Sequence, residues 1–98
     1  MLNFQKIVQS YAWGSSMAPV STGQLQVLHI ILREQDINNE DKYEILTNLF
    51  NRTITSSKQL TFGEAEAFLN LSRNPNTAKD FFAYIKEVAG ARRDPAVP

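Results

Sequence analysis

Cysteine is absent from this chain. That excludes a disulfide framework, a thiolate zinc site and a cysteine nucleophile in one step. Histidine occurs once, at position 29, between Leu28 and Ile30. A metal site on that helix would want further ligands three or four residues away, yet Leu25, Gln26, Leu32 and Arg33 occupy those positions. His29 therefore reads as a structural or boundary residue. No G-x-S-x-G elbow accompanies the serines, and the single histidine would have to serve any triad. The expectation is a protein that is not an enzyme, with no catalytic residue, no metal and no cofactor.

An excess of one charge sign is also missing. Ten Lys plus Arg stand against ten Asp plus Glu, so the domain as a whole is not the basic object that non-specific nucleic-acid binding demands, although a local patch remains open. Long apolar runs are missing too. All fall far below the roughly 18 residues of a transmembrane helix, and the N-terminus lacks the uninterrupted apolar core and cleavage site of a secretory signal. The reading is a cytoplasmic protein with no membrane role. The carboxylates Glu40, Asp41 and Glu44 lack EF-hand spacing and its glycine, and they complement the dipole at a helix start.

What is present is an ordered series of helix signals. With 98 residues and a 43% hydrophobic fraction, the chain suffices for one core without metal or disulfide staples. Residues 3 to 13 place Phe4, Ile7, Val8 and Tyr11 on one face, with Asn3 as cap. A linker of small residues covers 14 to 21; its Gly14-Ser15-Ser16-Met17 junction reads either as a natural loop or as the join of an added peptide to a chain starting at Met17. Ser21 or Thr22 caps the next helix, which runs to about Gln35 with Leu25, Leu28 and Leu32 on one stripe and Val27 and Ile31 beside it. This widest apolar face suggests a central helix. Asn38 caps a helix to about Arg52 that carries Tyr43, Leu46, Leu49 and Phe50.

Residues 53 to 59 are polar and β-branched, with Ile54 tucking back and the rest solvated. Thr61 and Glu64 form a capping box that opens a helix to about Ser72 with Ala65, Phe68 and Leu69 inward. Thr77 with Asp80 starts the last helix, carrying Phe81, Phe82, Ile85, Val88 and Ala89, and Gly90 ends it. The organisation is a short N-terminal helix (1–13), a linker (14–21), a helical domain (22–90) and a flexible tail (91–98). The fold class is all-α, a small bundle of four helices plus the short first one, with only a faint strand signal at Thr53 to Thr55.

Two sets of residues stand out as contact candidates. Tyr11 and Trp13 end the short first helix, where exposed aromatics suit a protein partner. Arg33 and Arg73 lie near helix ends, as dipoles alone favour, and with Lys58 they form a second partner surface if their helices run parallel. Lys79, Lys86, Arg92 and Arg93 extend this into a basic face able to touch phosphates. A third reading is self-association through the Leu25 to Leu32 face, giving a homo-oligomer.

Thr22, Gln24, Leu25 and Leu28, followed after a short turn and a helix by Leu60, Thr61, Glu64, Ala65 and the apolar pair Phe68 and Leu69, compose a longer pattern. Over about residues 21 to 72 it resembles a small helical module of bacteriophage and mobile-element proteins of DNA recombination, replication and transposition, often appended to annealing proteins. The resemblance implies an adaptor working with the DNA-processing machinery. Two positions depart from it: Gly23 and Phe62 stand where the family usually has lysine. Both departures remove positive charge and favour a protein partner over direct DNA contact.

Overall fold

The computed structural model describes residues 3–14 and 18–92, with side chains placed at 3–10 and 18–90. Polar caps write most of its helix starts. Asn3, Ser21, Asn38 and Thr61 each accept a hydrogen bond from the amide three residues on, satisfying one of the donors that a helix start leaves open. The resulting elements are α1 (Phe4–Gly14), α2 (Thr22–Glu34), α3 (Asn39–Phe50), a short 3₁₀ turn (Ser57–Gln59), α4 (Phe62–Arg73) and α5 (Ala78–Arg92). Among the described residues no strand forms, and one isolated antiparallel bridge joins Pro19 to Thr61. The all-α bundle with a short N-terminal helix is therefore the architecture. No described helix is long and apolar enough to cross a membrane.

That bridge sets two capping boxes side by side. Val20 donates to the Leu60 carbonyl and Phe62 to that of Ala18, so α2 and α4 begin together. The α4 box is the expected Thr61 and Glu64; the α2 box, Ser21 with Gln24, went unrecognised in the sequence. The Gln24 amide, only 7% exposed, is used at both ends. Its oxygen accepts from the Ser21 amide, and its nitrogen donates to the Phe62 carbonyl and to Glu66 Oε1.

The central helix is α4 rather than α2. It packs on α1, α2 and α5, and it is buried nearly all round, with Gly63, Ala65 and Ala67 giving its neighbours close approach. The α2 helix buries Leu28 and Leu32 but leaves Ile30 51% exposed. Phe81 of α5 joins the layers, meeting Phe4 at 5.3 Å and Phe68 at 5.1 Å in edge-to-face contacts. Phe4 and Val8 tie α1 into this core. Across its outer side, Tyr84 donates to Asn48 Oδ1, and Gln5 donates to the Asn48 carbonyl.

Three local expectations change. Thr77 does not cap α5 with its hydroxyl, which donates instead to the Leu71 and Asn74 carbonyls at the end of α4. Gly90 lies inside α5, which continues to Arg92. Ile54 does tuck in, held by its amide and carbonyl to Thr47 Oγ1, yet Ser57 beyond it is buried too.

Arg52, read as a helix-end residue, lies past the left-handed Asn51 that closes α3. Its guanidinium reaches forward to both carboxylate oxygens of Glu64 and to the Gln59 carbonyl. This clamps the 51–61 connection onto the first turn of α4. The bond to Glu64 holds the Arg52 guanidinium above its ordinary range, against a smaller opposing effect of burial.

Candidate functional site: a cationic cavity at the α2–α3 corner

The corner between α2 and α3 is built by two backbone devices. α2 ends in a Schellman motif, with the Asp36 amide donating to the Arg33 carbonyl and the Ile37 amide to that of Leu32. The motif needs a left-handed residue, and Asp36 supplies it at φ 59°. Asn38 then caps α3 two residues later. The turn carries Ile37 back toward Leu32, and between the two helices it leaves a cavity of about 220 Å³ lined by His29, Leu32, Arg33, Ile37, Asn39 and Lys42.

Lys42 is the unusual member. It occupies the same stripe of α3 as Ile45, Leu46 and Leu49, at i, i+3, i+4 and i+7, and so turns inward. Only 6% of it is exposed. Its Nζ lies 3.3 Å from His29 Nε2 and 4.7 Å from the centre of the Tyr43 ring, a cation–π contact. An ammonium has donors only, so Nε2 accepts from it, which puts the ring proton on Nδ1. Ser57 Oγ lies 3.3 Å from the same nitrogen. Three elements, α2, α3 and the 3₁₀ turn, thus meet at one imidazole.

Burial first, then the charges of Lys42 and Arg33, pushes the His29 imidazole below its usual pKa. The pairing with Ser57 superficially suggests a nucleophile and its base. The Nε2 lone pair, however, already faces an ammonium, and Ser57 is 6% exposed. That makes the imidazole a poor general base and the hydroxyl a poorly accessible nucleophile. What the cavity offers is positive charge. The salt bridge found among the described residues is Arg52 with Glu64, on another part of the molecule, and no described carboxylate forms one with Arg33 or Lys42.

The predicted contact residues scatter around this corner. Arg33 is exposed at its rim. Lys58 is exposed on the 3₁₀ turn next to Ser57, while Arg73 is exposed at the far end of α4 and lines no part of the cavity. Lys79 and Lys86 are exposed on α5. Lys86 also borders a second hollow with Asp36 and Ile37, on the same turn. The side chains of Tyr11, Trp13 and Arg92, and the whole of Arg93, lie outside the described residues. The Leu25 to Leu32 stripe, expected as a self-association face, turns Leu28 and Leu32 into the core.

Sequence reading missed Lys42, Ser57 and Asn39. The signal for Lys42 was available, since a lysine on an apolar stripe is a lysine turned inward. Ser57 had no such signal, because its place depends on how the 51–61 connection returns. No group of three or more His, Asp or Glu among the described residues is arranged to hold a metal. Comparison with known protein families, with curated proteins and with solved structures finds no match to this chain.

Proposed function

We propose that the domain is a non-enzymatic interaction module, an adaptor of phage-type DNA recombination or replication in the cytoplasm, that docks a partner protein at the α2–α3 corner. The observation that carries this reading is Ile30, 51% exposed where the only other exposed large hydrophobic among the described residues is Phe62 at 37%. Ile30 is next to His29 and one turn from Arg33, so an apolar contact and a cation share one outward strip. Such a strip suits a partner presenting an apolar side chain beside a carboxylate. The resemblance of residues 21 to 72 to the phage helical module supports the DNA-processing setting. Gly23 and Phe62, uncharged where that module has lysine, favour protein over DNA.

The test is capture from the source cell after nuclease treatment. One partner should be retained by the native chain and by Lys79→Glu, and lost with Ile30→Asp and Arg33→Glu. Capture that nuclease abolishes, or that all three variants retain, contradicts the reading.

Direct DNA contact has one observation in its favour: Lys79 and Lys86, seven residues apart, share an exposed face of α5 two turns in length. It would show as anisotropy of labelled DNA at low salt that collapses as salt rises. No binding at low salt eliminates it.

A further inference from the structure

We infer that the α2–α3 cavity is a binding site for a dianionic phosphoryl group, held by the Lys42 ammonium inside and the Arg33 guanidinium at the rim. This goes beyond a docking role, because it assigns a small-molecule ligand to the cavity behind the Ile30 strip.

Charge favours an anion here. Lys42 is buried to 6% exposure with its ammonium on a neutral imidazole and an aromatic ring, neither of which neutralises it. Arg33 lies on the same cavity wall. Neither cation has a described carboxylate in salt-bridge range, so a doubly charged anion between them would be a direct counter-ion to both. Shape and donor type point to the same ligand. About 220 Å³ is below the roughly 300–1,000 Å³ of pockets that enclose drug-sized ligands, and it suits a tetrahedral oxyanion with its attached group left outside. Asn39, the first residue of α3, lines the wall and brings a side-chain amide donor to it. Leu32 and Ile37 form its apolar side.

The imidazole provides the reporter. The groups set around His29 are Arg33 from its own helix, Lys42 from α3 and Ser57 from the 3₁₀ turn. A bound dianion offsets the two cations, so the imidazole should protonate at higher pH when the site is filled.

The experiment follows the His29 ring signals by NMR at pH 7 while the intact chain is titrated with inorganic phosphate, and in a second arm with adenosine monophosphate. Sodium chloride at matched ionic strength is the control. Expected are a saturable shift, a raised His29 titration midpoint at saturating phosphate, affinity about tenfold weaker in Lys42→Met and about threefold weaker in Arg33→Gln. Tighter binding of the nucleotide than of phosphate assigns the monoester as ligand; equal or weaker binding assigns free phosphate. Shifts matched by chloride, or undiminished in Arg33→Gln, overturn the proposal. Arg33 is exposed, so that variant carries the test if Lys42→Met does not fold. Ile30→Ser, which removes the apolar contact without adding charge, should bind phosphate as the native chain does, which separates this site from partner docking.

Discussion

Removing Arg52 should destabilise the domain by about 2 kcal/mol, and the reason lies in the asymmetry of its pair with Glu64. The Arg52 side chain is 41% exposed and that of Glu64 only 11%. Arg52 Nε and Nη2 reach the two carboxylate oxygens at 3.1 and 2.5 Å, and Nη2 also donates to the Gln59 carbonyl at 2.9 Å. An exposed pair contributes about 0–1 kcal/mol, whereas breaking a buried one costs roughly 3–5 kcal/mol by stranding a charge. A forked bond to a largely buried carboxylate from a partly solvated arginine falls between, at about 2 kcal/mol. For a chain of this length that lowers Tm by about 10 °C.

A double-mutant cycle over Arg52→Ala and Glu64→Gln, by urea denaturation, measures the coupling directly. Gln at position 64 retains the capping geometry with Thr61, so the coupling reports the ion pair and not the cap. It should reach about 1–2 kcal/mol. If the two substitutions add to within about 0.4 kcal/mol, the clamp on the 51–61 connection is not an energetic feature and the reasoning fails.

Further perturbations test other parts of the structure. Asp36→Gly relieves a left-handed non-glycine residue; it should raise stability by about 0.5 kcal/mol, and a loss in urea melts would contradict the Schellman assignment. Gln24→Glu keeps an acceptor for Ser21 but places a second carboxylate against Glu66 and removes the donor to Phe62; it should cost about 2 kcal/mol at pH 7, with part regained near pH 4. His29 has a folded-state pKa below its unfolded value near 6.5. The unfolded chain therefore binds the proton first, and stability is complete above that pH, falls as pH drops toward the folded value, then levels off. His29→Gln should flatten this part of the pH profile in denaturation at pH 7.5 and 5.5, and an unchanged slope would be the contrary result. Tyr84, pushed up to about 12 by burial, adds stability that is present below pH 10 and lost as pH rises through 12. Tyr84→Phe should remove that alkaline loss.

How legible the molecule was depended on whether the determinant was local. Asn38 and the Thr61 and Glu64 box marked helix starts because a cap acts over three residues of sequence. Thr77 stands directly before α5, which begins at Ala78 as expected, and only its hydroxyl departs from the capping role. Its hydroxyl bonds back to the Leu71 carbonyl, six residues upstream and beyond the three-residue reach of a cap. The choice of α2 as the central helix failed because apolar width was weighed above small size. Gly63, Ala65 and Ala67 carry little hydrophobic signal, yet they let α4 be approached from several sides.

The cavity was half visible. Arg33 was singled out, and His29 was read as a structural or boundary residue. What joined them was Lys42, thirteen residues from His29 and brought beside it only by the α2–α3 turn. Arg52 and Glu64 met in the same way, across a connection whose return path the residues between them do not encode by periodicity.

The central claim is that the α2–α3 corner is where this domain meets a partner protein, and a photo-crosslinking residue at position 30 tests it most directly. Irradiated in the source cell and treated with nuclease, the chain should yield a discrete protein adduct. The same residue at Asn70, exposed on α4, should yield none. Equal adducts from both positions, or material that nuclease destroys, would contradict the account.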